Sequence, residues 1–275
     1  MKFITKVINY EPGDVFTLTL FGDQHRGNVN ADKGRMNMVR DSILSDSHAL
    51  WIQAGDSHDC IDPKDSRRWD SKAIDYSIIP PERTDKMSDE VKRDGAEFFG
   101  PIAGKCLVFH RGNHEEYLDK WNGTEVGRDM CQRMGIEDVY SEGMCTTTLQ
   151  FKDKNKHVAE FVINSAHGSA VPQSDGAGIT SMTKKLTHFK DVDLLVRGHS
   201  HRCFLQPVAS LSRRKNVEDL VDRVSWVCHS ASYLQTYAKD RNCYGEAKDY
   251  SPTVLLTPRL VFTPIRNKVH VEGRL

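Results

Sequence analysis

Phe16-Thr-Leu-Thr-Leu-Phe-Gly-Asp-Gln-His25 and Ala49-Leu-Trp-Ile-Gln-Ala-Gly-Asp56 decide the fold. Each is a short apolar run that stops at a glycine followed by an aspartate. Such runs, bounded by turn residues, read as buried strands. Between them, Asp32 can cap a helix over 32–48, with Met36, Val39, Ile43 and Leu44 forming one apolar stripe. Strand, helix, strand, with an acid just past the end of each strand, suggests a βαβ unit. In such sheets ligands collect beyond the carboxyl ends of the strands.

Further along the chain, Cys106-Leu-Val-Phe109 is a third core strand, ending in His110-Arg-Gly-Asn-His114. Residues 145–151 and 157–163 flank Asp153-Lys-Asn-Lys156 and read as a hairpin that runs into His167-Gly168. Asp193-Leu-Leu-Val-Arg197 is a short strand delivering Gly198-His-Ser-His201. Helices are expected from a Ser88 cap to Phe99, with Met87, Val91 and Phe98 on one side, from a Thr124 cap to Gly135, and around 179–190. Strand-like runs follow at 204–209, 224–228, 260–265 and 268–271. Residues 60–85, rich in Asp, Arg, Pro and Ser with Trp69 and Tyr76 among them, read as a long insertion near the strand ends. With no repeat, low-complexity stretch or clear linker, one domain spanning 1–275 is expected.

The composition is that of a soluble globular chain with a sizeable core: 38% hydrophobic and 28% charged residues. Lys+Arg and Asp+Glu are both 38, and this zero net charge argues against a nucleic-acid coat or a polybasic membrane binder, though not against a local basic groove. The seven cysteines are scattered without a C-x-x-C pair, the first residues carry no signal-peptide core, and no run approaches a membrane span. A reduced, intracellular, cytoplasmic protein is expected.

Five polar clusters therefore sit at the ends of apolar runs. They offer Asp23, Asp56 and Asn113 as oxygen donors and His25, His167, His199 and His201 as imidazole donors, with His114 to spare. That is the ligand count of a two-metal hydrolytic site. A mixed Asp/Asn/His set suits manganese, iron, zinc or nickel better than calcium, with manganese favoured. With no thiolate in the clusters, a structural cysteine-type zinc site is not indicated. Taken singly, each aspartate has the helix cap as a minor alternative, and His167 reads first as a loop histidine. The ordered set, with His at fixed offsets, carries the inference. His199 and His201 alternate, so both face one side if extended.

The order D-x-H, G-D-x-x-D, G-N-H-E, H, G-H-x-H resembles the calcineurin-like metallophosphoesterase superfamily over roughly residues 16–230. The resemblance implies a four-layer α/β/β/α sandwich of two mixed sheets flanked by helices. It implies that Asp23, His25 and His201 hold one metal, that Asn113, His167 and His199 hold the other, and that Asp56 bridges them. It further implies that a hydroxide bridging the pair attacks phosphorus in line, with His114 protonating the leaving oxygen and Asp59 orienting His114. The cluster Gly55-Asp-Ser-His-Asp59 is not followed by Arg-Gly, and Gly198-His-Ser-His201 has a second histidine. Both features differ from the serine/threonine protein phosphatases and favour the phosphodiesterase- and nuclease-like branch. His58, in the second cluster, either faces the site or is solvated.

The function expected is a metal-dependent phosphoester hydrolase, with a phosphodiesterase or nuclease acting on a nucleotide or nucleic acid as the first reading. A phosphomonoesterase, including a protein phosphatase, is the alternative, supported by Arg111-Gly-Asn-His-Glu115. A non-catalytic binding module is a third. Residues 60–85 are expected to form a lid or substrate-recognition element. Tyr233, Tyr237, Tyr244 and Tyr250 are expected either to pack in the core or at a protein contact, or to stack a nucleobase. Arg67-Arg68, Lys184-Lys185 and Arg213-Arg214-Lys215 read as solvated faces unless two of them converge on the cleft.

Overall fold

A computed structural model of the chain describes residues 1–169, 174–213, 220–238, 243–247, 249 and 251–275. In chain order the elements are β1 (Lys2–Asn9), β2 (Phe16–Leu20), α1 (Lys33–Ser45), β3 (Ala49–Gln53), α2 (Met87–Phe99) and β4 (Cys106–His110). Then come α3 (Asn113–Asn122), α4 (Val126–Arg133), β5 (Tyr140–Ser141), β6 (Cys145–Lys152), β7 (Val158–Ala166) and α5 (Asp175–Leu186). The series ends with β8 (Leu194–Arg197), β9 (Cys203–Arg213), β10 (Leu220–Ser230), α6 (Tyr244–Ala247), β11 (Arg259–Ile265) and β12 (Lys268–Arg274).

The strands form two six-stranded sheets, ordered β1-β6-β7-β8-β10-β9 and β12-β11-β2-β3-β4-β5. Both are mixed. In the second, β2, β3, β4 and β5 run parallel while β11 and β12 are antiparallel. The period-2 alternation of each strand explains the layering. Leu18, Leu20, Leu50 and Ile52 point between the sheets, where they meet Leu149, Phe151, Ile163, Leu194, Val196 and Phe262. Trp51 and Phe109 point the other way, against Met36, Val39 and Ile43 of α1, Phe98 and Phe99 of α2, and Met130 of α4. On the outer face of the first sheet, Met182 and Leu186 of α5 cover Leu195, Phe204 and Val227. The result is a four-layer α/β/β/α sandwich. Among the described residues, no helix is long and apolar enough to cross a membrane.

Several local expectations need correction. The helix after β2 ends at Ser45; within it Met36, Val39 and Ile43 are buried but Leu44 turns outward and is exposed, while Asp32 does cap it, accepting from the Arg35 N–H at 2.9 Å. Ser88 caps nothing: α2 begins at Met87 with no side-chain cap. Thr124 does not cap α4 either. Asp119 Oδ1 accepts from the Val126 N–H at 2.7 Å instead, and Thr124 Oγ1 finds no hydrogen-bond partner among the described residues. The helix α3 and the strands β1 and β5 are additions. Residues 60–85 pack down, with Cys60, Ile74, Ile78 and Ile79 buried against the α1–α2 layer.

Trp51 is fully buried and stacks on Phe99 at 5.5 Å between centroids. Trp51→Ala should destabilise the fold by about 3–5 kcal/mol through lost burial and the cavity left behind. Urea unfolding followed by circular dichroism checks this.

Candidate metal centre

Strands β2, β3 and β4 are mutually parallel in one sheet, as are β7, β8 and β10 in the other. Their carboxyl ends meet at one rim of the sandwich. The six loops that leave them carry Asp23 and His25, Asp56 and Asp59, Asn113 and His114, His167, His199 and His201, and Ser230. The pairing of β2 with β3 continues past the strands: Asp23, His25 and Arg26 donate their N–H groups to the carbonyls of Gly55, Asp56 and Ser57 at 2.9, 3.1 and 3.0 Å.

The structure gathers all seven sequence-predicted ligands into two adjoining groups. In the first, His25 Nε2 and His201 Nε2 are 2.9 Å apart, and His201 Nε2 is 3.9 Å from Asp23 Oδ1. In the second, His167 Nε2 lies 2.9 Å from Asn113 Oδ1 and 3.2 Å from His199 Nδ1, and the latter two atoms are 2.6 Å apart. Asp56 Oδ2 lies between the groups, 3.9 Å from His25 Nε2 and 3.3 Å from His167 Nε2. Donors ~2.1 Å from a common cation stand roughly 3 Å apart, so these separations suit ions held in each group. The donors are nitrogen and oxygen only, which fits manganese, iron, zinc or nickel. His167 Nδ1–H donates to the Ala54 carbonyl at 2.8 Å, which leaves Nε2 as its ligating atom.

Reaching these positions strains the backbone. Asp23, His25 and Asp56 each have φ of 49°, and His199 and His201 have φ of 74° and 56°. A non-glycine residue in the left-handed region costs of order 1–3 kcal/mol and persists only where its surroundings over-determine it. Here they do. Asp23 Oδ1 accepts from the His199 N–H at 2.8 Å, Asp23 Oδ2 from Ser230 Oγ at 3.0 Å, and Asp56 Oδ1 from the His114 N–H at 2.9 Å. Two glycines permit the crowding. A Cβ on Gly112 would stand 2.1 Å from the Asp56 amide, and one on Gly198 would stand 2.7 Å from Asp23 Oδ2.

His114 opens α3 and lies beside His25 and Asp56, close enough to form a ligand group with them. Its Nδ1 makes a short contact to the Asp59 backbone carbonyl, whereas the Asp59 carboxylate is 3.5 Å away. That carboxylate is 3.3 Å from His25 Nδ1 and accepts from Asn28 Nδ2 at 2.9 Å. Asp59 thus touches His114 mainly through its main chain.

His58 neither faces the site nor is solvated. It is fully buried, with Nε2 2.9 Å from Asp94 Oδ2, a carboxylate that also takes a two-pronged pair from Arg26 at 2.7 and 2.8 Å. Arg26 in turn covers the Phe98 ring at 3.8 Å. On the other side, Ser57 Oγ and the His58 N–H reach Glu115 Oε1 at 2.8 and 3.2 Å, and Glu115 Oε2 accepts from the Gly112 N–H at 2.8 Å. This buried chain ties three of the loops that carry ligands to α2 and α3. Nothing in the sequence marks its members Arg26 and Asp94, whereas Glu115, part of the Arg111–Glu115 motif, also holds the position of a cap, third in its helix and after a glycine.

Of the remaining histidines, His110 and His229 are buried and structural, while His188 and His270 are on the surface. His110 pairs with Ser165 at 2.8 Å and His229 with Ser200 at 3.0 Å, and burial pushes both imidazoles down to about 3. Tyr233 is a core residue, fully buried edge-on against Phe21 at 5.2 Å, so it cannot stack a base. Arg214, Lys215 and Tyr250 lie outside the described residues, as do the side chains of Arg213 and Tyr244.

Charge in the centre is divided unevenly. Burial pushes Asp23 up to about 6 and holds His199 and His201 below the usual imidazole range. For His25 and His167 burial is outweighed: the Asp59, Asp56 and Asp23 carboxylates carry His25 up to about 9, and Asp56 and Asp23 carry His167 up to about 10. At neutral pH each ligand group of the metal-free protein therefore holds a proton on one histidine. That proton is shared with a neutral neighbour, His201 in one group and His199 with Asn113 in the other.

A cation must displace those protons. Binding should therefore release protons at pH 7 and tighten as pH rises towards 9, which titration calorimetry in buffers of different ionisation enthalpy measures. Buffer-independent heats would contradict it. In the metal-free protein, the same two raised histidines add stability that is complete below pH ~6.5 and is lost as pH passes 9 to 10. Asp94→Ala, which leaves Arg26 and His58 buried without their acid, should cost about 3–5 kcal/mol in denaturant unfolding.

No protein-family model matches the chain, and no curated protein matches it. Among solved structures it is similar to zinc-bound Vps29 from Entamoeba histolytica, at 13% identity over 94% of this chain and 98% of that one, with a TM-score of 0.36. It is similar to a predicted phosphoesterase from Streptococcus pneumoniae at 12% identity over 95% and 99% of the two chains, with a TM-score of 0.34. A putative 5′-nucleotidase from Staphylococcus aureus is similar at 12% identity over 94% of this chain and 53% of that one, with a TM-score of 0.46. In its two-sheet sandwich and in the ordered motifs at one rim, the chain resembles the calcineurin-like metallophosphoesterases.

Proposed function

We propose that this chain is a metal-dependent phosphoester hydrolase working with two divalent cations, and that its substrate is a phosphodiester of nucleotide type. The observation that carries the reading is the pair of ligand groups flanking Asp56 Oδ2, with His114 at their edge. Asp23, His25 and His201 would hold one ion, Asn113, His167 and His199 the other, and Asp56 would serve both. Such cations supply an activated water and neutralise charge on a phosphoryl group.

The rest is done by the chain itself. His114 Nδ1 is taken up by the Asp59 carbonyl, which leaves Nε2 to hold a proton and release it to a leaving oxygen. The His114 N–H fixes Asp56 Oδ1, so the proton donor and the shared carboxylate move as one unit. The position of Arg111 favours a diester over a monoester. Its guanidinium lies 3.7 Å from Asp119 and 3.9 Å from Glu116, acids with which a terminal phosphate would compete for the same cation. We take residues 1–275 as one domain, since both sheets share one core.

Metal-stripped protein given Mn²⁺ should hydrolyse bis-p-nitrophenyl phosphate with a higher kcat/KM than p-nitrophenyl phosphate. A preference for the monoester would overturn the diester reading, and silence on both with every metal tried would overturn the hydrolase reading. His114→Ala should lower kcat by roughly 10²–10⁴-fold while metal content, measured by mass spectrometry, stays the same.

A further inference from the structure

We propose that the outer face of α3 is a stacking platform for unpaired nucleobases, built from Tyr117 and Trp121 and reading the substrate beside the metal centre. This rests on the phosphodiester reading above and names its substrate class: single-stranded nucleic acid or a short oligonucleotide.

The geometry follows from helical spacing. His114, Tyr117 and Trp121 occupy positions i, i+3 and i+7 of one helix, so they share a face. At 1.5 Å per residue, the two rings stand about 4.5 and 10.5 Å along the axis from His114. Both are open: Tyr117 is 40% and Trp121 45% exposed, on a helix whose Leu118 is fully buried. Two large aromatic rings left in water one turn apart, leading away from a candidate catalytic histidine, form a surface that a flat apolar ligand would cover.

The segment beginning at Cys60 brings individual cations alongside the rings. It is docked along α3 by the Asn122 amide, which donates to Asp62 Oδ2 at 3.1 Å, and by Arg68, whose guanidinium lies 4.0 Å over the Tyr117 ring. Asp65 holds Arg68 in place at 2.7 Å. Lys64 and Arg67 on this segment and Lys120 on α3 are exposed. Rings for bases beside cations for phosphates are the combination that binds single strands without demanding a sequence. Residues 60–70 are neutral as a whole, with Asp62, Asp65 and Asp70 against Lys64, Arg67 and Arg68, and α3 sets Glu116 and Asp119 beside Lys120. Asp65 is taken by Arg68, and Asp119 and Glu116 face Arg111, while Lys64, Arg67 and Lys120 stay exposed. The stacking surface is therefore on α3 and not at Tyr233.

The test uses the full chain with Mn²⁺ and two labelled phosphorothioate strands of equal length, one with bases and one abasic, followed by fluorescence anisotropy. The base-bearing strand should bind roughly 10- to 100-fold more tightly. Tyr117→Ala and Trp121→Ala should each remove much of that preference, and Tyr117→Phe should retain it. Thermal melting confirms that the variants are folded. Equal binding of the two strands, or a preference untouched by both alanine variants, overturns the platform. The two readings fail separately: diester hydrolysis without base preference removes the platform alone, whereas base preference without hydrolysis removes the catalytic reading alone.

Discussion

Asp23 is the point at which the two sheets are fastened together above their shared core. Its N–H extends the β2–β3 pairing onto Gly55, while its carboxylate and carbonyl accept from His199, Ser230, Ser232 and Tyr233, all of which follow strands of the opposite sheet. A buried carboxylate that lost these donors would be costly. Because it has them, the loops of one sheet are held at fixed distance from the loops of the other. The candidate centre needs that constraint, since each of its two ligand groups draws residues from both sheets. The same fastening explains how five residues remain at positive φ.

The balance inside the centre follows from this crowding. Three carboxylates and five histidines sit within a few ångströms at a rim that excludes most water, so neither set can be fully charged or fully neutral. Protons settle on His25 and His167, which are nearest the carboxylates, and avoid His199 and His201. In this state a proton occupies each place that a cation would take. The arrangement keeps the ligands converged without an ion, at the cost of making ion uptake a proton exchange.

Much of this was legible in the sequence. The core strands announce themselves because they are apolar runs ended by glycine and acid, and the βαβ order fixes where their ends point. The candidate ligands are legible because each sits within a few residues of such an end, and the fold brings them together. What was hidden is of a different kind. The start of α3 has a glycine at its cap position, so no side chain there signals a helix, and the signal rests on Glu115 reaching back. Thr124 and Ser88 look like caps but lose the role to Asp119 and to an uncapped entry. His58 and Asp94 are far apart in the chain, and only the fold reveals that they pair with each other. Tyr233 and Tyr117 are alike in composition. Burial alone assigns one to the core and the other to the surface, and composition carries no information about burial.

The pairing of β11 with β2 has a consequence for how the protein is made. Phe16–Leu20, the strand that leads into Asp23, lies between β3 and β11, and β11 begins only at Arg259. Until residues 259–274 leave the ribosome, the second sheet has an open edge along β2. Such an edge is a template for pairing with the wrong chain. Closing a loop of this length also makes the sheet a late and slow event in folding. A nascent chain interrupted before that point would present sticky, half-formed β-structure instead of a smaller folded domain.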